Sequence, residues 1–234
     1  MSSSFQTLKQ ECYDANMELN ALGLVIHTFG NVSAVDRAQK VFAIKPSGVP
    51  YPQLKAEDMV IVDFDNNIIE GKLKPSSDTP THAYLYKSWE TLGGIAHTHA
   101  LYSVAWAQAQ CSIPILGTTH ADHLTQDIPC TPPMSDALIE GQYEHNTGIQ
   151  ITDYFSAHQL SPNEIEMILI GSHGPFCWGA NASKAVYNSQ VLEAVAEMAY
   201  LTLQINPKAE RLKQALIKKH YDRKHGKNSY YGQD

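Results

Sequence analysis

Cysteine is sparse in this sequence: Cys12, Cys111, Cys130 and Cys177 lie far apart and form no CxxC pair. A closed structural metal site would want more cysteine than that. The opening residues "MSSSFQTLKQECYDANMELN" lack the apolar core of a secretion signal, so the thiols read as reduced and the location as cytoplasmic. No apolar run approaches a membrane span, which leaves no membrane partner to expect. Positive charge is not in excess either. Lys and Arg number 17 against 24 Asp and Glu, a formal charge of −7, which argues against a general nucleic-acid binder. Repeats, low-complexity stretches and Gly/Ser linkers are missing, so residues 1–234 read as a single domain. No GxGxxG, P-loop or GxSxG motif is present. With no secretion signal, the sequons "NVS" and "NAS" count as chance matches.

What is present is an ordinary globular composition, 43% hydrophobic and 18% charged, with an unusually high eleven histidines. Phe5, Leu8, Cys12, Ala15, Leu19 and Leu22 recur every three or four residues and predict an amphipathic helix ended by Gly23. Runs of β-branched and aromatic residues predict strands at "LVIHTF", "KVFAIK", "MVIVDFD" and "NIIEG", with "DNN" as a hairpin turn. "SSDTPTHAYLYKSWE" predicts a helix capped by Thr79 with Pro80 in its first turn. "GGIAHTH" reads as strand and "LYSVAWAQAQ" as helix. "IEMILIG" and "PFCWG" read as buried strands around a Ser-His-Gly corner. A long helix is predicted over 181–205, with apolar positions at 185, 192, 195, 199 and 203, and a second, more polar one over 207–226. Hairpins alternating irregularly with helices predict an α/β or α+β layer fold, a sheet covered by helices.

His97 and His99 flank one threonine, and on a strand residues two apart share a face, so both rings can converge on one ion. The alternative is two solvent-facing histidines on an edge strand. His173 supplies a third imidazole between an apolar strand and a Gly-Pro turn, though alone it could be a core histidine held by one backbone hydrogen bond. Three histidines with an open position describe a catalytic divalent site, zinc by default. The paired Gly93 and Gly94 before the histidines are expected to leave room for substrate.

Two segments look like anion cradles. "IKPSG" offers Lys45, Ser47 and Gly48: a cation, a hydroxyl and a glycine that lets backbone N–H groups approach an oxyanion. "KPSSDTPTH" puts Ser76 and Ser77 just before a helix start, where phosphate is favoured. Either could equally be plain turn chemistry, but beside a histidine cluster the pair points to a phosphorylated small molecule. Asp78 could cap that helix or reach the metal. "GTTHADH" gathers Thr118, His120, Asp122 and His123 in one polar loop, with Asp122 a candidate acid/base. The tail "KKHYDRKHGKNSYYGQD" reads as a charged end or as a segment closing over an anionic substrate of a neighbouring subunit.

Taken together, "TFGNVSAVDR", "IKPSGVPY", "PSSDTPTHAYLY", "GGIAHTHALYSVAWAQA", "GTTHADH", "IPCT", "HGPFCWG" and "KHYDRKHGKNSYYGQ" closely resemble the L-ribulose-5-phosphate 4-epimerases of the class II aldolase family. The likeness runs in uniform register from about residue 5 onward. It implies an α/β/α layered subunit with a central, mostly antiparallel sheet flanked by helices, assembled as a homotetramer with active sites between subunits. It implies one divalent metal per subunit, usually zinc, held by His97, His99 and His173 with Asp78 at or beside the ion. Gly30 and Asn31, Ser47 and Gly48, and Ser76 and Ser77 match the substrate-binding pairs; Asp122 and Tyr231 match the acid/base pair. Lys45, Thr118 and His220 are further candidates for the substrate, His220 at the phosphate.

The implied substrate is a phosphorylated ketopentose, and the implied chemistry is retro-aldol cleavage of C3–C4, rotation of the aldehyde and re-addition through its other face. That route is required because the C4 hydrogen is not acidic. The closest alternative is the L-fuculose-phosphate aldolase branch, where a glutamate stands in place of Asp78. A non-catalytic scaffold of the same fold would be expected to have lost the metal histidines, and all three are present.

Overall fold

The computed structural model describes residues 5–226 and 229. The N-terminal stripe becomes α1 (Gln6–Ala21), which buries Cys12, Ala15 and Leu19. Its end is the expected glycine stop. Gly23 adopts φ +71°, its N–H reaches Asn20 O at 3.0 Å, and Leu24 N reaches Leu19 O at 3.2 Å, so two orphan carbonyls of the last turn are satisfied. One buried polar residue on the stripe has a specific task. The Asn16 amide donates to Val32 O and accepts from Val32 N, both at 2.9 Å, fastening the helix to the first strand.

Among the described residues seven strands form one sheet: β1 (Asn31–Asp36), β2 (Val41–Ile44), β3 (Val60–Asp63), β4 (Ile68–Glu70), β5 (Gly94–His97), β6 (Met167–Leu169) and β7 (Pro175–Gly179). Their order is β4-β3-β2-β1-β5-β7-β6, and every neighbouring pair is antiparallel. The hairpin at "DNN" forms as predicted. Asn66 takes φ +69°, and the Asp63 carboxylate accepts from the backbone N–H groups of Asp65 and Asn67, each at 2.8 Å. Residues 24–29, predicted as a strand, are not one. Phe29 N turns back to Ile26 O, Ile26 and Phe29 stay at least half exposed, and the central strand β1 begins after them.

The helices are α2 (Thr79–Ser88), α3 (Leu101–Gln108), α4 (Thr118–Ala121), α5 (Asp136–Ile139), α6 (Tyr143–Ala157), α7 (Ala182–Ile205) and α8 (Gln214–His225). Of the stripe predicted on α7, residues 185, 192, 195 and 199 are buried and Leu203 is half-buried. The last helix starts later than predicted: Asn206 ends α7 in an extended conformation before Pro207, and Leu212 N bonds Ile115 O before α8 begins. Helix α6 has no counterpart among the sequence expectations; it packs on α2 through Gly148, where a Cβ would meet Tyr84 at 3.0 Å.

Both faces of the sheet are covered, which produces the α/β/α layering. Phe42, Ile44, Val62, Ile95, Phe176 and Trp178 pack with residues of α2, α6 and α7 on one side. Val32, Ala34, Ala43, Ile61 and Ala96 meet α1 and the start of α7 on the other. Burying the larger of these side chains, such as Val32, Ile61 and Phe176, stabilises by about 1.5–3 kcal/mol each. The first face also holds a polar knot: Ser33 Oγ lies 2.7 Å from His82 Nδ1 and 2.8 Å from the Tyr86 hydroxyl. No helix among the described residues is long and apolar enough to cross a membrane.

The start of β1 and the ends of β2 and β5 meet the start of β7 at one end of the sheet. There Asn31 pairs in register with His97, and His97 with Phe176.

Candidate functional site

His97 is the last residue of β5, fixed by ladders on both sides. His99 is not on the strand with it, because the strand stops at His97 and residues 98–100 lead into α3. Convergence therefore comes from the turn out of the strand, not from two residues sharing a pleat. The two Nε2 atoms nonetheless lie 3.1 Å apart. His173 stands in the tight turn between β6 and β7, held by His173 N→Ile170 O and Ile170 N→Gly174 O, both 2.9 Å. Gly174 lets this turn close on β5, since a Cβ there would sit 3.0 Å from Thr98 O. The three imidazoles present ligand nitrogens within 4.8 Å of one another, the one such metal-capable group of His, Cys, Asp and Glu found among the described residues.

The environment suits metal ligation. His97 Nδ1 is 2.9 Å from Pro175 O; a carbonyl only accepts, so Nδ1 carries the hydrogen and Nε2 presents its lone pair to the cluster. Phe176 stacks on the same ring at 4.3 Å with an interplanar angle of 17°. Burial, with His99 adding to it, pushes the His97 pKa down to about 3. Burial and then His97 push His173 down to about 4, and burial lowers His99 against the opposing pull of Asp78. All three rings are therefore neutral near pH 7, the protonation state a divalent ion requires.

Asp78, not Thr79, occupies the position before the first residue of α2, and its carboxylate does not cap the helix. It accepts from Asn31 Nδ2 at 2.6 Å instead, while the Thr79 hydroxyl donates to Ser76 O at 2.6 Å. Asn31 Nδ2 also reaches Ser76 Oγ at 3.2 Å, and Asn31 Oδ1 is buried without a partner, an acceptor open to a ligand. Gly30, at φ +89°, runs so close to β5 that a Cβ would lie 3.0 Å from His97 O.

These groups line one cavity of about 330 Å³, which collects Gly30, Asn31, Lys45, Ser47, Gly48, Ser76, Ser77, Asp78 and the three histidines. The two anticipated cradles are a single wall: Ser47 N bonds Lys74 O, Ser76 N bonds Lys45 O, and Pro46 bridges Pro75. Lys45 is 2% exposed, with Nζ 3.4 Å from Thr28 O and 4.8 Å from the centre of the Tyr51 ring. Burial lowers its pKa to about 8, so it is largely charged at neutral pH.

Sequence reasoning missed Tyr143 and Glu144, which also line the cavity. They are brought there by α6, whose start is tied to α2 through Thr81 Oγ1→Glu144 O at 2.5 Å. The Tyr143 hydroxyl lies 3.2 Å from His173 Nδ1. The only signal in the sequence is a Tyr-Glu pair opening a helix after Gly141, which carries no ligand spacing.

The structure separates the remaining candidates from this cavity. Thr118, Asp122 and His220 do not line it. Asp122 follows α4, and its carboxylate receives Arg223 Nε at 2.9 Å, a second Arg223 nitrogen at 2.6 Å and His220 Nδ1 at 2.9 Å. Burial raises the Asp122 pKa, but the bonds from Arg223 and His220 outweigh it and leave the carboxyl below its ordinary value. Tyr231 lies outside the described residues. The paired glycines serve packing, not substrate: a Cβ on Gly93 would meet Ala180 O at 1.9 Å, and one on Gly94 would meet Ala182 Cα at 2.4 Å. All four cysteines are free thiols, and none lines the cavity.

Residues 10–200 match the family described as "Class II Aldolase and Adducin N-terminal domain". The "L-ribulose-5-phosphate 4-epimerase UlaF" of Salmonella paratyphi B is 49% identical over 228 residues, covering 97% of this chain and 99% of that protein. The protein of the same name from Salmonella typhi matches at the same identity and coverage. Among solved structures, an "L-fuculose 1-phosphate aldolase" superposes with a TM-score of 0.77 at 22% identity, covering 95% of this chain and 97% of that one; at that identity the likeness speaks for the fold.

Proposed function

The chain belongs to the class II aldolase and adducin N-terminal domain family, and from that premise we propose that it is a metal-dependent epimerase interconverting L-ribulose 5-phosphate and D-xylulose 5-phosphate. The observation that carries this reading is the neutral three-histidine cluster opening on a cavity walled by Lys45, Ser47, Ser76 and Ser77. His97, His99 and His173 hold a divalent ion, zinc by preference, with Asp78 beside it. When bound, the ion supplies Lewis acidity toward the negative charge that develops as the C3–C4 bond breaks. Lys45 and the serine hydroxyls, with Gly30, Asn31 and Gly48, bind and orient the phosphorylated substrate, the lysine supplying the positive charge a phosphate needs in a half-enclosed site.

Inversion at C4 requires proton transfer on two faces. One group takes the proton from the C4 hydroxyl as C3–C4 cleaves and glycolaldehyde phosphate forms. The aldehyde rotates, C3–C4 re-forms through its other face, and a second group protonates the new C4 alkoxide. We assign those roles to Asp122 and Tyr231. Because Thr118, Asp122 and His220 lie off this copy's own cavity, the reading includes a homotetramer in which a neighbouring subunit brings them, His220 assisting at the phosphate. A single domain over 1–234 and a cytoplasmic location complete it. The four free thiols favour a reducing compartment, and the net charge of −7 disfavours nucleic acid.

The test is conversion of L-ribulose 5-phosphate by the metal-replete protein, before and after chelation. D-xylulose 5-phosphate should form and its formation should stop when the metal is removed. Absence of that product overturns the assignment, and accumulation of dihydroxyacetone with glycolaldehyde phosphate would move the chain to the aldolase branch.

A further inference from the structure

His97 is locked by strand ladders and His173 by a hydrogen-bonded turn, but His99 sits in the short link between β5 and α3. Its ring meets Phe29 and His97, and its backbone leads straight into the first turn of α3, so what fixes that turn bears directly on its position. The residue at that helix start, Ala100, has no side chain able to cap it. The cap comes from another element instead. Glu193, in the middle of α7, accepts from Tyr102 N through one carboxylate oxygen at 2.7 Å and from Ser103 N through the other at 2.9 Å. These are the second and third residues of α3, whose N–H groups have no partner inside the helix. Bonds from a carboxylate to such groups are charge-assisted and are favoured by the helix dipole.

We propose that Glu193 is a positioning residue for His99, holding the α3 start so that this imidazole stays on the cluster. The inference rests on reading the three histidines as a metal centre. Two features give it substance. Only Ala100 and Leu101 separate His99 from the tethered Tyr102, so loss of the tether loosens the chain directly behind the ligand, while Ala100 O still accepts from Ser103 Oγ at 3.2 Å and Val104 N at 3.0 Å. The far end of α3 has its own anchor to α7, Trp106 Nε1→Ala196 O at 3.0 Å, so the helix stays docked when its first turn frays. Glu193 thereby controls the ligand more than the packing, whereas Trp106 controls the packing alone.

The difference is measurable by titrating cobalt(II) into the metal-stripped full-length protein and following its d–d absorption, with thermal unfolding in parallel. Glu193→Ala should weaken cobalt binding by about 10- to 100-fold, the range for residues that orient metal ligands. Its spectrum should move toward that of His99→Ala. Glu193→Gln keeps one acceptor oxygen and should recover part of the affinity. Trp106→Phe should lower the melting temperature while leaving affinity and spectrum unchanged. Wild-type affinity and spectrum in Glu193→Ala overturn the proposal, as does an equal loss in Trp106→Phe. If the alanine variant does not fold, the glutamine variant decides: weaker binding than wild type supports the role and unchanged binding overturns it. Failure of the wild type itself to bind cobalt would instead remove the metal-centre reading, and this inference with it.

Discussion

Replacing Gly94 with alanine tests whether the glycine pair is a packing device. The added Cβ would lie 2.4 Å from Ala182 Cα, 2.5 Å from Ala182 N and 2.6 Å from Asn181 C. Ordinary contact starts at 3.4 Å, so the site is about 1 Å too short. All three obstructing atoms are backbone at the start of α7, and no rotamer change can relieve them. That start is pinned by its cap, Asn181 Oδ1 accepting from Lys184 N at 2.8 Å, and by the buried Ala182, Ala185 and Val186. Accommodation must therefore part the helix from β5, and overpacking of that kind costs about 3 kcal/mol, the upper end of its usual range. For a chain of this size the melting temperature should fall by about 6–12 °C. Gly23→Ala is the control. It meets no atom within 4 Å and carries only the strain of φ +71°, about 1 kcal/mol. Urea unfolding of the metal-free proteins, compared through midpoint and slope, separates the two. If Gly94→Ala is no more destabilising than Gly23→Ala, the packing argument fails. The same displacement acts on the strand that ends in His97, so weaker metal binding should accompany the lost stability.

Lys45 gives a pH prediction. Burial lowers its pKa to about 8 from an ordinary 10.5, so the ammonium is present below that value and lost above it. The KM for the sugar phosphate should rise as pH passes through about 8, by up to about tenfold per unit for one required proton. Lys45→Arg should move the break upward because the guanidinium stays charged; a KM flat from pH 7 to 9.5 would refute the lysine's role. Asp122→Asn should lower kcat by about 10²- to 10⁴-fold, the usual share of an acid/base group, with metal content unchanged because Asp122 lies off the histidine cavity. Loss of metal in that variant, or an unaltered kcat, would contradict the assignment.

The sequence alone was enough for whatever depends on neighbours along the chain. The α1 stripe, its glycine stop and the Asp63 hairpin are local patterns, legible because periodicity and turn chemistry act over a few residues. The His97, His99 and His173 set and the two candidate anion cradles were legible as residue types, strengthened by a likeness running from about residue 5 onward. Tertiary structure decided the rest, because contacts between distant residues leave no periodic trace. It put His99 beyond the strand's end and merged two cradles into one wall through Pro46 and Pro75. It brought Tyr143 and Glu144 to the cavity on a helix that the sequence did not announce. It gave the space at Gly93 and Gly94 to α7 and tied Asp122 to Arg223, one hundred and one residues away in the chain. Chemistry at this site was written in residue types; its geometry was set by which backbones could approach one another.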